Sequence, residues 1–84
     1  MNVKSSSVKV EFGKLLQMGR KKAGMSKIAF ANTIGVSHRT IDNWEDGKTF
    51  IENLGLIDVI HDKTGIYIPT LLDDAIKSLR SRRR

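Results

Sequence analysis

Four side chains between Ser37 and Lys48, namely His38, Arg39, Thr40 and Asn43, carry the chemistry that stands out in this sequence. The Arg39 guanidinium is a planar fork of donors that matches O6 and N7 of guanine, and the Asn43 amide, which donates and accepts, matches N6 and N7 of adenine. His38 can donate or accept through its ring, and Thr40 can meet a thymine methyl or a phosphate. Asp42 lies among them; its carboxylate repels phosphate and can instead accept from a cytosine amine or brace Arg39. On a helix beginning at His38, positions 38, 39, 42 and 43 point away from Ile41 and Trp44. The polar set then faces outward, while Ile41 and Trp44 read as core anchors.

Enzymatic chemistry finds no comparable set. With no cysteine there is no thiol nucleophile, no disulfide framework and no cysteine-ligated zinc. No histidine stands at a useful spacing from an acid, and His61 reads as surface or core filler, so no metal ligand is expected. Gly13 to Gly19 has the wrong interval for a phosphate loop and is followed by Arg20 where Lys-Ser/Thr would be required. Catalytic residues, cofactors and an enzymatic role are therefore not expected. Aromatic residues are only 6% of the chain and Phe12, Phe30 and Trp44 read as core, which leaves few platforms for stacking single-stranded bases.

Eighty-four residues are room for one small domain, and 39% hydrophobic with 29% charged residues suits a folded chain. A chain this short buries about 60–65% of its unfolded surface, so a partner can matter to its stability. The longest apolar run, Ile28-Ala29-Phe30-Ala31, falls far below the ~20 residues that cross a bilayer. No apolar stretch follows Lys4, so neither a secretory leader nor a membrane partner is expected, and the cytoplasm is the expected location. The net charge of +6 is segregated. Residues 1–48 hold nine basic and four acidic side chains, residues 49–76 hold Lys63 against five acidic ones, and residues 77–84 hold five basic ones. A basic working face and a basic tail separated by an acidic support fit a polyanionic partner such as nucleic acid.

The elements that must position the polar set follow from periodicity. Phe12, Leu15, Leu16, Gly19 and Ala23 fall at helical spacing, and Gly24 is a C-terminal stop. Ser26 caps a second helix over 27–34 whose inner side is Ile28, Phe30, Ala31 and Ile34. Gly35-Val36 breaks it, and Ser37 caps a third helix over 38–46 that Gly47 ends. Leu54, Leu56, Ile57, Val59 and Ile60 predict a fourth helix up to about Lys63, which Gly55 weakens by about 1 kcal/mol relative to Ala. Ile66-Tyr67-Ile68 is an extended connector because the residue before Pro69 is biased away from helix. Pro69 then opens a fifth helix striped with Leu71, Leu72, Ala75, Ile76 and Leu79. The expected architecture is all-α: residues 1–10 a flexible arm, 11–79 a compact five-helix domain and 80–84 a basic tail.

The crossing of the second and third helices needs a residue tolerant of positive φ, which Gly35 supplies, and a small residue four positions earlier, which is Ala31. The run Gly35-Val36-Ser37-His38-Arg39-Thr40-Ile41-Asp42-Asn43-Trp44-Glu45-Asp46-Gly47 resembles the helix-turn-helix of the lambda-repressor-like family, which includes phage repressors, Cro proteins and small bacterial regulators. The motif spans 27–46, and a weaker resemblance extends from about Phe12 to Leu72. Asp42 stands where Ser is common, Lys27 where Gln usually braces a recognition-helix side chain, and Lys48-Thr49-Phe50-Ile51 where a Pro often follows the closing Gly.

The resemblance implies a sequence-specific double-stranded DNA-binding regulator of the phage or mobile-element repressor type, with the third helix in the major groove. It makes His38, Arg39 and Asn43 the base readers, with Thr40 beside them, and Ser26, Lys27, Ser37 and Lys48 the phosphate contacts. It also implies a structural ion pair between Arg20 and Glu45, and a homodimer on an inverted-repeat operator. Pairing would then fall to the fourth and fifth helices or the tail, with Leu71 and Leu72 closing the domain's own core and Ile76 and Leu79 open to either role. The alternative is an antitoxin-type module that binds its operator and also a partner protein, for which the acidic stretch from Glu52 to Asp74 gives some support.

Overall fold

The computed structural model describes residues 5–81 as five helices with no strand among them. These are α1 (Ser5–Lys22), α2 (Lys27–Ile34), α3 (His38–Glu45), α4 (Leu54–Thr64) and α5 (Ile68–Ser81). The Cα radius of gyration is 12.6 Å, close to the roughly 12 Å of a compact chain of this length.

Side-chain caps set three helix starts. Ser26 Oγ accepts from the Ala29 N–H at 3.0 Å, Ser37 Oγ from the Thr40 N–H at 3.2 Å, and Asn53 Oδ1 from the Leu56 N–H at 3.1 Å. Each cap satisfies one of the donors that a first turn leaves without an intrahelical acceptor. Gly35 closes α2 at φ 80, in the left-handed region that residues with a Cβ disfavour, and its N–H reaches Ala31 O at 2.9 Å. That turn leaves only Val36 and Ser37 before α3 begins.

Phe12, Leu16, Phe30, Ile41, Ile60 and Ile68 are the largest fully buried side chains, and they bring all five helices onto one core. Ala31, Ile34, Trp44, Ile51, Ile66 and Ala75 complete it, with Leu71 and Leu72 packed against it from α5. Phe50, from the loop after α3, meets Phe12 edge to face with ring centroids 4.8 Å apart. The helix pair α1–α5 is antiparallel: Gly19 lies against Ile66, and Glu11 Oε2 accepts from Ser78 Oγ at 3.5 Å at the other end.

Four expectations are corrected. Residues 5–10 are helical rather than an arm, because α1 starts at Ser5 and packs its first turns on other elements: Val8 and Lys9 are half-buried and line a cleft with Phe50, Glu52 and Leu72. Residues 1–4 and 82–84, the rest of the expected arm and most of the tail, lie outside the described residues, whereas Arg80 and Ser81 continue α5. Ile28 is exposed, since the inward line of α2 runs through Phe30, Ala31 and Ile34 and Ile28 sits two residues, about 200° around the helix, from Phe30. Leu54 is also exposed, at the very first residue of α4, where the turn has not yet reached the core. Smaller differences are boundary shifts of one residue at Glu45 and Ile68, while Ala23 lies in the turn beyond α1.

One close approach determines where α3 sits. Gly13 is buried in the middle of α1, and a Cβ there would stand 2.4 Å from Glu45 O and 2.6 Å from Trp44 O. The backbone of α1 therefore rests directly on the C-terminal end of α3. Gly13→Ala should destabilise the fold by about 1–3 kcal/mol through overpacking against rigid carbonyls. A mid-helix Gly→Ala change without that contact stabilises by about 1 kcal/mol. The direction of the Tm shift decides, and a higher Tm would contradict the contact.

Candidate nucleic-acid interface

Helix α3 is amphipathic in the strict sense that its two sides do different work. Ile41, Trp44 and Glu45 are buried, whereas His38 and Arg39 are exposed and Asp42 and Asn43 are half-buried on the outer side. Among the described residues, neither Arg39 nor Asn43 commits its side chain to an internal hydrogen bond or ion pair. Both forks are free to engage something outside the molecule. Thr40 is different, for its Oγ1 lies 2.9 Å from Ser37 Oγ, so both hydroxyls are engaged in the cap at the start of α3.

Beneath this helix lies a buried ion pair. Arg20 Nε donates to Glu45 Oε2 at 2.6 Å and Nη2 to Glu45 Oε1 at 3.1 Å, a two-pronged contact. Its remaining nitrogen, Nη1, donates to Met25 O at 2.9 Å, at the entry to α2. The side chains of Arg20 and Glu45 are 5% and 2% exposed, so neither can reach a phosphate, and together they join α1, the α1–α2 turn and α3.

The start of α2 and the outer side of α3 form one surface, because Lys27 Nζ sits 2.8 Å from Asp42 Oδ1. The other carboxylate oxygen of Asp42 is 3.7 Å from His38 Nδ1. Asp42 thus does not brace Arg39, as the sequence reading allowed; the Lys27 ammonium and the His38 ring are its neighbours. Lys27 is correspondingly engaged rather than extended toward solvent. The hydrogen bond and charge of Asp42 hold the Lys27 ammonium above its ordinary value of 10.5. In return, the hydrogen bond from Lys27, together with the charges of Lys27, His38 and Lys48, holds the Asp42 carboxyl below its ordinary 3.8.

The remaining expected contacts are placed around this centre. Ser26 is exposed at the N-terminus of α2 with its hydroxyl oxygen on the Ala29 N–H. Lys48 is exposed just past α3, and its N–H and that of Thr49 both donate to Asn43 O, which folds the loop back on the helix end. Arg39 and Lys48 are therefore exposed cations at opposite ends of α3. His61 lies apart from this surface, exposed on α4 with its ring 4.9 Å from that of Tyr67. No group of three or more His, Asp or Glu side chains that could hold a metal occurs among the described residues.

Two features escaped the sequence reading. Gly13 was weighed only as part of a phosphate loop, and nothing in a lone mid-helix glycine announces a backbone contact. The Lys27–Asp42 pair had a signal: both departures of the motif from the resembled pattern are charged, and with opposite sign.

Two outcomes follow from these pairs. Glu45→Ala leaves the Arg20 guanidinium buried with two of its three hydrogen bonds gone, and should destabilise by about 3–5 kcal/mol, read from chemical denaturation; an unchanged midpoint would contradict the pair. For Lys27–Asp42 the sign is set by the depressed carboxyl value, so the pair's contribution is present above pH 3.8 and is lost as pH falls through the lower folded value. The Tm difference between the wild type and Asp42→Asn should accordingly shrink at acid pH. It should also shrink with added salt, because both side chains are about a third exposed.

The chain matches no known family model, and no curated protein sequence is significantly similar to it.

Proposed function

We propose that the protein is a sequence-specific double-stranded DNA-binding regulator of the lambda-repressor-like type, with α2 and α3 as its helix-turn-helix and α3 as the helix that enters the major groove. One observation carries the reading: a short, capped helix presents Arg39 and Asn43 without internal partners and an exposed His38 beside them, while its opposite side is anchored by Ile41, Trp44 and the buried Glu45. Side chains of these types match the base edges of the major groove, whereas an enzyme would need a convergent set of polar groups in a pocket. Two clefts of about 360 and 330 Å³ among the described residues lie elsewhere, along α1, and are lined by Lys9 with Glu52 and by Lys14 with Glu11.

In this reading His38, Arg39 and Asn43 address bases, with Thr40 restricted by its contact with Ser37 to a methyl or backbone contact. Ser26, Ser37 and Lys48 address phosphates, helped by the positive ends of α2 and α3. A homodimer on an inverted repeat, with half-sites about one helical turn apart, is the arrangement this docking favours. The reading carries with it the cytoplasmic location expected from the sequence and the phage or mobile-element repressor type that the motif's resemblance implies.

Selection of bound duplexes from a random pool tests the proposal. A preferred sequence with a two-fold repeat is expected, and Arg39→Ala and Asn43→Ala should each weaken binding to it by about 1–3 kcal/mol and relax the preference at one base pair. Lys48→Ala should instead weaken all duplexes alike and flatten the dependence of log affinity on log salt by about 0.9. If replacing His38, Arg39 and Asn43 together left the preference among duplexes intact, the assignment would be wrong.

A further inference from the structure

Lys27 occupies an awkward position for a cation. It is the first residue of α2, where the aligned peptide dipoles already place partial positive charge, and the first turn of α2 contains no acidic residue. A cation and a helix N-terminus together favour an anion, and in a surface that meets DNA the expected anion is a phosphate. That role is filled from within the protein: Asp42 Oδ1 lies 2.8 Å from Lys27 Nζ. Asp42 also stands on the outer side of α3, three residues from Arg39, four from His38 and next to Asn43 in sequence, so its negative charge lies in the middle of the reading set.

We propose that Asp42 is a specificity-determining residue that acts as an electrostatic brake, holding Lys27 away from the DNA backbone so that affinity depends on the base contacts of α3. The inference rests on the DNA-binding reading above. Its physical content is a competition. To bind a phosphate, Lys27 must leave a carboxylate 2.8 Å away, and the freed carboxylate then faces the polyanion unpaired. A Lys–phosphate contact is insensitive to sequence and supplies non-specific affinity, whereas Arg39 and Asn43 discriminate. In a random duplex the protein can shift until Lys27 meets the nearest phosphate, whereas base contacts that fix α3 in register also fix where Lys27 stands, so withholding the contact costs the random duplex more. The ratio of specific to non-specific binding therefore rises.

The test is a double-mutant cycle on Lys27 and Asp42, read as affinity and salt dependence for a random-sequence duplex and for the preferred duplex. Asp42→Asn should bind the random duplex about tenfold more tightly at about 0.1 M salt and steepen the salt slope by about 0.9, the release of one further counterion. The preferred duplex should gain less, so discrimination falls. In a Lys27→Met background, Asp42→Asn should leave the salt slope unchanged, because no cation remains to be released. Asp42→Ser serves as a second variant, and thermal melts establish that each variant is folded. Equal gains from Asp42→Asn with and without Lys27, or an unchanged salt slope, would reduce Asp42 to simple repulsion and overturn the proposal while leaving DNA binding intact. A wild type that binds no duplex at low salt would overturn the DNA reading, and this inference with it.

Discussion

The position of every side chain on the outer face of α3 depends on a buried guanidinium. Arg20 reaches from the last turn of α1 and divides its donors between both oxygens of Glu45 and the carbonyl of Met25. A charge this deeply buried is costly unless its donors are met, and three of them, reaching out from α1, are met in two separate parts of the chain, two on α3 and one in the turn into α2. The fork is planar and rigid, so it constrains direction as well as distance. Seven residues earlier, two turns along the same helix, Gly13 lets the backbone of α1 touch the carbonyls of Trp44 and Glu45. A hydrogen-bonded anchor and a steric stop thus act on the same end of α3. Rotation of α3 about its axis would break the first, and translation toward α1 is blocked by the second.

With the inner side fixed in this way, Arg39 and Asn43 on the outer side need make no side-chain contact within the fold. Ile41 and Trp44, three residues apart, take α3 into the core, and the helix has only eight residues, so little of its length is left over. Such a helix is too short to persist alone, and tertiary contact together with the Ser37 cap must hold it. This is why the side chains of exposed Arg39 and half-buried Asn43 can be held in place without being tied down: their backbone is rigid for reasons located on the opposite side.

Much of this was legible in the sequence, and the part that was not has a common cause. The helix limits followed from local signals, namely Ser26, Ser37 and the glycines at 24, 35 and 47, since capping and left-handed turns are decided within a few residues. The Arg20–Glu45 contact, separated by 25 positions, came from resemblance and not from spacing. Where periodicity was used without tertiary information it failed at helix ends. Ile28 and Leu54 both lie in first turns, where an apolar residue has no neighbouring turn to define a face, and both are exposed. The start of α1 failed in the opposite sense. Its serines and lysine look like an arm, yet contact with α5 and the loop after α3 holds that stretch helical, and such long-range packing leaves no mark in a local window.

The two ion pairs of α3 differ in what the fold stakes on them. Arg20–Glu45 is almost wholly buried, so a change at either end leaves an unmatched charge in the core and puts the fold at risk. Lys27–Asp42 is about a third exposed at both ends, so water and salt screen it and the helices do not depend on it for their packing. Both pairs tie α3 to a neighbouring helix, one from below and one from above. Only the upper one can be rewritten without cost to the core, and it is the upper one that departs from the resembled pattern at both of its positions. A chain with a single small core has few residues free to vary in this way. Substitution at the outer charges of α2 and α3 therefore changes the surface before it changes the core.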